Sequence, residues 1–505
     1  MMNEVVISTS GITFEEVISI ARGGAKIKIS DESIQAMAKT RDHIDHLASS
    51  ENPVYGISTG FGALAQKHIL PKDRVQLQKS LIRSHAAGMG EVVETEVVRA
   101  MMTLRLKTMC SGHTGVRPET ALTYAEMLNS GITPKVLEFG SLGCSGDLSP
   151  LAHCALVLMG EGEAKDETGV FRSSSEVLAK HGIKPVELAE KEGLALINGT
   201  DGMLGMLILA IADLRKLLDT ADVVAAMSVE GQMGTDQVFR SELHEGLRAH
   251  PGQIQSAKNM FDALQGSEIV SSHRHDDGVV QDAYSLRCSP QVTGAVRDTL
   301  AHAERVAQIE LDSVIDNPVV LSDGEVTSNG NFHGAPIGYV LDYLAIAVTD
   351  LSSISERRTD RFLDTARNRG LPGFLAFDPG VDSGMMIAQY TQASLVSENK
   401  RLSVPASVDS IPSSAMQEDH VSMGWHAARK LLKVVGNLRR VVAIELVVAA
   451  RAIELRQPLK PSPKSAAMIR ALRDRVSGFG PDEYLSEQLE SAENLLFELD
   501  PAKSK

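Results

Sequence analysis

A helical repeat near the end of the chain constrains the fold more than any other feature. Apolar side chains recur there at steps of three and four, at Leu431, Val435, Leu438, Val442, Leu446, Ala449 and Ile453. This spacing aligns them on one face of an α-helix of more than twenty residues. Helices of about thirty residues are about 45 Å long, which suits a bundle better than a small globule.

Three further segments carry the same periodicity, at roughly Gly202–Glu230, Val292–Ile315 and Ile337–Asp364. Together they predict an all-α fold with a long central helical bundle. The stretches Val442–Ile444 and Val447–Ala450 are apolar nearly all round, so we expect them to be buried on every side. Such surface favours an oligomer of closed symmetry in which subunits pack helices together.

Length and composition predict one continuous folded unit. The chain has 505 residues, 43% of them hydrophobic, and no Pro/Ser-rich linker or charge block divides it. Within residues 1–505 we expect a loop-rich N-terminal portion of about residues 1–200, a long-helix portion of about 201–460, and a helical tail of about 461–505.

Charge and cysteine usage predict a cytoplasmic protein. The net charge of −15 disfavours nucleic acid and anionic membranes as partners. Met1–Glu4 lacks the basic and apolar regions of a secretory signal. The apolar stretch Met206–Ala212, which we expect to end at Asp213, is too short to cross a bilayer. The cysteines have no paired spacing, which indicates a reducing compartment: Cys110, Cys144, Cys154 and Cys288.

Polar, glycine-rich segments interrupt the helical patterns, and catalytic groups commonly lie in such loops on a rigid scaffold. These segments are Tyr55–Gly62, Gly140–Pro150, Ser271–Arg287, Ser328–Pro336 and Pro405–Asp419.

One of these loops contains Gly143-Cys144-Ser145-Gly146-Asp147. Taken alone, this run is most often a polar turn. It can also cyclise, because the backbone nitrogen of Gly146 lacks a neighbouring Cβ and can approach the carbonyl of Cys144 closely. Loss of water, followed by dehydration of Ser145, would give a methylidene-imidazolone (MIO), which is a strong electrophile.

The surrounding sequence Gly140–His153 resembles the signature of the aromatic amino-acid lyase family, and the resemblance extends from about Val54 to about Arg429. It implies the all-α fold of that family, with the MIO loop in the N-terminal portion. It also implies an MIO formed from Cys144, Ser145 and Gly146, no external cofactor, and a homotetramer with shared active sites. Family members usually carry Ala at position 144, and the ring uses only backbone there, so we expect the thiol to be a spectator.

The resemblance assigns two residues to the chemistry at the ring. Tyr55, in the loop Val54–Gly62, would be the general base that removes the β-proton. Asn198 would help hold the MIO oxygen, as in an oxyanion hole. Two other interpretations stay open: Gly60-x-Gly62-x-x-Ala65 fits a loose dinucleotide fingerprint without a βαβ context, and Asn198 could cap the helix that begins near residue 202.

A second group would bind the rest of the amino acid. Arg287 would pair with the substrate carboxylate, Gln281 and Tyr284 would orient the substrate and relay protons, and Phe332 would pack near the ring. The nearby run His273–Asp277 is weak evidence for a metal site, and we predict no metal.

His85 and Glu418 occupy the positions at which the family distinguishes its substrates, and they resemble the histidine-selective members. A carboxylate can pair with an imidazole, whereas a phenyl ring would leave it buried and unpaired. A lone histidine is otherwise usually structural. Met386 lines the imidazole pocket or packs in the core, while Met416 and Ala335 replace the Asn and Glu usual in the family.

The expected reaction is elimination of ammonia from L-histidine to give trans-urocanate, the first step of histidine degradation to glutamate. A lyase or aminomutase acting on tyrosine or phenylalanine is the nearest alternative. A serine hydrolase using Ser145 is disfavoured, because Gly146 follows directly and the G-x-S-x-G spacing is absent. A helical scaffold without activity is the remaining alternative.

Overall fold

The computed structural model describes residues 2–49, 54, 56–60, 62–64, 66–274 and 278–498. The chain is predominantly helical, which confirms the predicted all-α class. The helices of the described part are α1 (Phe14–Ala21), α2 (Asp31–Ala48), α3 (Arg74–His85), α4 (Thr95–Cys110), α5 (Pro118–Asn129), α6 (Leu148–Leu158), α7 (Ser174–Lys180), α8 (Glu192–Ile197), α9 (Asp201–Gly231), α10 (Ser241–His244), α11 (Pro251–Leu264), α12 (Glu268–Ser272), α13 (Tyr284–Arg287), α14 (Ser289–Asp312), α15 (Ala335–Leu363), α16 (Met386–Leu402), α17 (Gly424–Glu454), α18 (Pro463–Arg473) and α19 (Leu485–Glu498).

Short strands accompany these helices. They are β1 (Glu4–Ile7), β2 (Lys26–Ile29), β3 (Met89–Val92), β4 (Thr133–Pro134), β5 (Leu137–Phe139), β6 (Glu163–Lys165), β7 (Arg172–Ser173), β8 (Val319–Val320) and β9 (Val326–Thr327). Strand β1 pairs in parallel with β2, while the β3–β5, β4–β6–β7 and β8–β9 pairings are antiparallel.

The four predicted long helices are confirmed as α9, α14, α15 and α17. Helix α14 ends at Asp312, three residues earlier than predicted. Just beyond this end, Arg105 of α4 donates to the carbonyl of Ile315 at 2.6 Å and Lys107 of α4 donates to the carbonyl of Ser313. Two cationic side chains thus satisfy carbonyls of the segment that follows the helix.

The chain divides into two compact units. Unit 1 comprises Met1–Leu209, Glu304–Leu341 and Pro405–Arg429. Unit 2 comprises Ala210–Ala303, Asp342–Val404 and Lys430–Lys505.

Unit 1 is built around helix α4, whose residues 97–110 are all buried. Helix α1, which packs beside α4, begins with a capping box in which Thr13 and Glu16 satisfy each other's backbone N–H groups. Arg99 of α4 donates to the carbonyl of Ile20 at 3.0 Å and to that of Leu128 at 3.1 Å, so its buried guanidinium is satisfied by helix ends.

Unit 2 contains a buried ion pair between α15 and α17. Arg358 donates to both carboxylate oxygens of Glu445, at 2.5 and 2.9 Å, and the two side chains are 2% and 1% exposed. Ser228 and Ser355 donate to the same carboxylate. The charges are therefore paired and hydrogen-bonded, the condition under which buried ions are tolerated.

The apolar segments of α17 are covered by the chain itself. Every residue of Val442–Ile444 and Val447–Ala450 is at most 2% exposed in the single chain. The prediction of burial is confirmed, but this segment needs no neighbouring subunit. Exposed apolar side chains lie instead on α15, where Tyr339, Tyr343 and Ile346 are 58%, 51% and 46% exposed and are spaced along one helix face.

Two helical segments are long and apolar enough to cross a bilayer, Glu192–Gly231 and Ala335–Leu363. Their most apolar windows are 100% and 61% buried within the folded chain, as in core helices. The expectation that the segment around Met206–Ala212 is too short to cross a bilayer is not met by length, because α9 continues through Asp213, whose carboxylate lies 3.5 Å from Arg439.

Candidate active site

The loop 140–147 joins β5 to α6 and brings Gly146 against Gly199. Gly143 and Gly146 have φ of 68° and 78°, values that residues with side chains rarely adopt. A Cβ on Gly146 would overlap the backbone of Gly199, and the N–H of Asp147 donates to the Gly199 carbonyl at 2.7 Å. Glycine is therefore required at position 146 by both conformation and contact.

Two other loops of unit 1 hold this segment. The carbonyl of Gly143 accepts from the N–H of Gly334 at 3.1 Å and from the hydroxyl of Ser422 at 2.8 Å. The N–H of Met423 donates to the carbonyl of Leu142 at 2.9 Å. The loop is thus fixed on both sides before any chemistry occurs.

Asp147 connects the loop to the first turn of α9. Its carboxylate is buried and accepts from the Ser141 hydroxyl at 2.8 Å and from the N–H of Met203 at 2.9 Å. Burial raises the pKa of Asp147 to about 7, although these hydrogen bonds favour the charged form.

Glu418 lies directly against the predicted ring-forming residues. The Ser145 hydroxyl donates to Glu418 Oε1 at 2.9 Å, and the Cys144 thiol donates to Oε2 at 3.2 Å. Ser413 also donates to Oε2, at 3.1 Å. Cys144 therefore contacts the carboxylate predicted to read the substrate, while the expectation that the thiol is a spectator of ring formation stays a prediction.

The backbone before Glu418 is left-handed. Ser414, Ala415 and Met416 have φ of 50°, 54° and 70°. Ser413 and Glu418 flank this turn and pair through two backbone hydrogen bonds of 2.8 and 3.3 Å. The strained turn therefore sets the position from which Glu418 reaches the loop.

His85, the last residue of α3, lies within electrostatic reach of Glu418. Its Nδ1 is 2.9 Å from the carbonyl of Leu81, so Nδ1 carries the proton and a neutral ring leaves Nε2 as an acceptor. Burial lowers the pKa of His85, although the Leu81 carbonyl and the Glu418 charge act in the opposite direction. The charge of Glu418 thus reaches the ring of His85.

Asn198 ends helix α8 and is 4% exposed. Its Nδ2 lies 3.5 Å from the carbonyl of Asn317, and within the described residues its buried Oδ1 has no hydrogen-bond partner. Helix α9 begins at Asp201, so Asn198 is not its N-cap. A buried amide with spare hydrogen-bonding capacity suits a ligand-binding role.

The predicted trio Gln281, Tyr284 and Arg287 forms a cluster in unit 2. Arg287 donates to Gln281 Oε1 and to the carbonyl of Asp282, both at 2.9 Å. Its guanidinium lies 4.6 Å from the centre of the Tyr284 ring, which is 71% exposed. Arg287 retains N–H donors with which it could bind a carboxylate.

Phe332 is half-buried in the turn before α15. Met386 is a half-buried residue at the start of α16 and lines a cavity of about 330 Å³ in unit 2 together with Phe374 and Tyr390. It therefore lines a cavity rather than packing in the core. Tyr55, the predicted general base, lies outside the described residues.

The alternative chemistries receive little support from the geometry. The described element before Gly60 is helix α2, not the strand that a dinucleotide site requires. His275–Asp277 lie outside the described residues, while His273 Nε2 is 3.2 Å from the carbonyl of Gly234. The Ser145 hydroxyl donates to a carboxylate, whereas the nucleophilic serine of a triad hydrolase pairs with an imidazole.

In one other place, potential metal ligands cluster in the described part of the chain. Oxygen and nitrogen atoms of Asp166, Glu167 and His181 lie within 4.8 Å of one another. The ammonium of Lys180 contacts both carboxylates and supplies the positive charge there.

Sequence reasoning missed Ser413 and Ser422, which bind Glu418 and the loop carbonyl. Neither lies in a recognisable motif. Their only signal is position, since both flank the segment that carries Glu418.

The aromatic amino acid lyase family matches residues 12–474 of the chain. A histidine ammonia-lyase of Streptomyces avermitilis is 63% identical over 493 residues, covering 97% of this chain and 96% of the relative. The crystal structure of histidine ammonia-lyase from Trypanosoma cruzi superposes with a TM-score of 0.90 at 38% identity, over 98% of this chain and 93% of the other. Tyrosine aminomutase from Streptomyces globisporus gives a TM-score of 0.93 at 37% identity, over 98% and 96%.

The helical fold, the clamped Gly-Cys-Ser-Gly loop and these matches define an enzyme of the ammonia-lyase class. The chain belongs to the aromatic amino acid lyase family.

Proposed function

We propose that the protein is a histidine ammonia-lyase, which eliminates ammonia from L-histidine and releases trans-urocanate. The observation that carries the proposal is the contact of Glu418 with Ser145 at 2.9 Å, with His85 in its electrostatic field. A carboxylate at this point suits an imidazole and penalises a phenyl or phenol ring. The similarity to histidine ammonia-lyases over 97% of the chain agrees with this assignment.

The family implies an MIO formed from residues 144–146, and two observations fit such a ring. Gly146 approaches Gly199 so closely that no Cβ could be accommodated, and Asn198 Oδ1 is buried without a partner among the described residues. The ring, once formed, would supply an electrophilic carbon that makes the amino group a better leaving group.

The remaining roles belong to side chains. Arg287 binds the substrate carboxylate through its planar fork, while Gln281 and Tyr284 orient the amino acid. Glu418 accepts a hydrogen bond from the substrate imidazole. Tyr55 removes the β-proton.

The rest of the pocket fixes the geometry of this reaction. His85 contacts the imidazole through its neutral ring, and Asn198 would hold the oxygen of the MIO once it has formed. Phe332 packs against the reacting centre, and Met386 lines the imidazole pocket.

We further propose that residues 1–505 act as one lyase unit in a cytoplasmic homotetramer with shared active sites. The exposed stripe Tyr339, Tyr343 and Ile346 offers apolar surface to a second copy. The four cysteines are free, as expected in a reducing compartment.

An absorbance assay with three amino acids tests the proposed reaction. Incubation with L-histidine is expected to raise ultraviolet absorbance as the conjugated acid forms, while L-tyrosine and L-phenylalanine leave it nearly unchanged. Ser145→Ala is expected to abolish turnover, because the methylene cannot form. Turnover of tyrosine instead of histidine would favour the lyase or aminomutase alternative, and full activity of Ser145→Ala would reject the electrophile.

A further inference from the structure

The two carboxylate oxygens of Glu418 have different partners. Oε2 accepts from the Cys144 thiol at 3.2 Å and from the Ser413 hydroxyl at 3.1 Å. Oε1 accepts only the Ser145 hydroxyl, at 2.9 Å, among the hydrogen bonds of the described chain. Cys144 and Ser413 thus hold Oε2, whereas only the reacting Ser145 holds Oε1 among these hydrogen bonds.

Ring formation would change these partners unequally. Dehydration removes the Ser145 hydroxyl and its α-hydrogen together as water, so Oε1 loses its donor. Cys144 and Ser413 keep their side chains, because the ring takes only the backbone of residue 144.

We propose that Cys144 and Ser413 are positioning residues that hold Oε2 of Glu418, so that Oε1 becomes the free acceptor for the substrate imidazole. This inference rests on the proposed function, since it assigns the geometry by which Glu418 reads histidine. It gives the thiol a task in substrate recognition that an alanine at position 144 could not perform.

The surroundings of the thiol support this role. Cys144 is 7% exposed and packs with Val421 and Met423. Burial, reinforced by the charge of Glu418, raises the pKa of Cys144 to about 12. The sulfur therefore keeps its proton at neutral pH and remains a donor rather than a competing anion.

The backbone fixes the second donor. The two hydrogen bonds between Ser413 and Glu418 close the left-handed turn, so the Ser413 hydroxyl and the carboxylate belong to one rigid hairpin. Cys144 joins this hairpin to the ring-forming loop, 274 positions away in the sequence. Removing either donor should leave the carboxylate freer to rotate.

The first test compares single variants by kcat and KM for L-histidine and by ring content, measured as loss of two water molecules in the intact mass. Cys144→Ala is expected to keep full ring content and to lose about threefold to tenfold in kcat/KM, the range for a hydrogen bond with a weak donor. Cys144→Ser should recover part of the loss. Cys154→Ala, which also removes a buried thiol of unit 1, should leave kcat/KM unchanged.

The decisive test uses Glu418→Gln. When Cys144 and Ser413 are unchanged, they should hold the amide oxygen of the new Gln side chain and turn its NH₂ group toward the substrate. The substrate imidazole then has no acceptor at this position. In the Cys144→Ala/Ser413→Ala background the amide can flip and present its oxygen. The fold-loss caused by Glu418→Gln should therefore be smaller in that background than in the parent.

Equal fold-losses in the two backgrounds would overturn the positioning role, and so would a Cys144→Ala protein that lacks the ring. A parent protein with full ring content and no histidine turnover would instead overturn the proposed function. Intact mass and the parent rate therefore separate the two failures.

Discussion

At the scale of single residues, the turn before Glu418 makes one departure from the family pattern energetically costly. Met416 stands where the family usually carries Asn, and it adopts a φ of 70°. Left-handed backbone costs a residue with an ordinary side chain about 1–2 kcal/mol, whereas Asn tolerates it. The turn therefore stores strain beside a predicted substrate-binding carboxylate, at a position where the usual residue would reduce it.

Substitution Met416→Asn should stabilise the protein by about 1 kcal/mol, because Asn adopts this conformation at lower cost. Urea unfolding monitored by circular dichroism measures the change. Met416→Val is the matched control and should lower stability, since a β-branched side chain is worse in this region. An Asn variant less stable than the parent would show that the Met416 side chain contributes more than the strain costs.

Some site residues could be predicted and others could not, for a physical reason. Gly146, His85 and Glu418 lie in short motifs, so their roles can be predicted from the neighbouring residues in the sequence. The contact of Cys144 with Glu418 depends on how separate loops meet, because the thiol is 274 positions from its partner. No local pattern encodes that meeting, whereas Ser413 lies only five positions from Glu418 on the same turn.

At the scale of elements, periodicity predicted the long helices well, because a buried helix face repeats over many turns. The end of α14 was missed, because buried apolar residues continue past it to Ile315. The short helix α13 was also missed, as four residues are too few for a periodic signal.

Helix α6 offers a pH-dependent prediction. The N–H of Gly88 donates to His153 Nε2 at 3.1 Å, so the ring must be unprotonated there, and burial lowers the pKa of His153 below 6.5. The unfolded chain then binds the proton more readily, and stability falls as pH drops below about 6.5.

His153→Gln should flatten this dependence, because an amide oxygen can accept from Gly88 without titrating. Thermal unfolding midpoints from about pH 7 to about pH 5 measure it. Burial lowers the pKa of His85 in both the parent and the variant. The difference between their slopes of unfolding midpoint against pH therefore isolates the contribution of His153. Identical slopes would contradict the assignment.

The buried ion pair between Arg358 of α15 and Glu445 of α17 predicts that removing either charge lowers the free energy of unfolding. Glu445→Gln leaves the Arg358 guanidinium buried without its counter-charge and should cost about 3–5 kcal/mol. Equilibrium urea unfolding measures the loss. The double variant Arg358→Met/Glu445→Leu should recover much of it.

Glu398→Gln serves as the control for this pair. It breaks a contact with Arg401, whose side chain is 68% exposed, and should cost less than about 1 kcal/mol. A Glu445→Gln protein as stable as the parent would mean that Ser228 and Ser355 suffice for the site.

At the scale of the whole molecule, the two site clusters belong to different units of the chain. Ser145 and Glu418 lie in unit 1, while Gln281, Tyr284 and Arg287 lie in unit 2. The sequence predicted long helices but not this division, because four of the five dividing points fall inside helices, where periodicity is uninterrupted.

The proposed sharing of active sites can be tested by mixing two inactive variants. Glu418→Ala removes a unit 1 group and Arg287→Met removes a unit 2 group. If each site combines the two units from different subunits, random reassociation restores about a quarter of the sites. Activity after co-refolding measures the outcome, with each variant refolded alone as the control. No recovery, despite full-size oligomers, would indicate sites built within one subunit.

The close approach of Gly146 to Gly199 has a consequence for how the enzyme comes into use. If the proposed ring forms, this contact exists only once the segment just before α9 has packed against the loop. A nascent or misfolded polypeptide would then carry no reactive carbon.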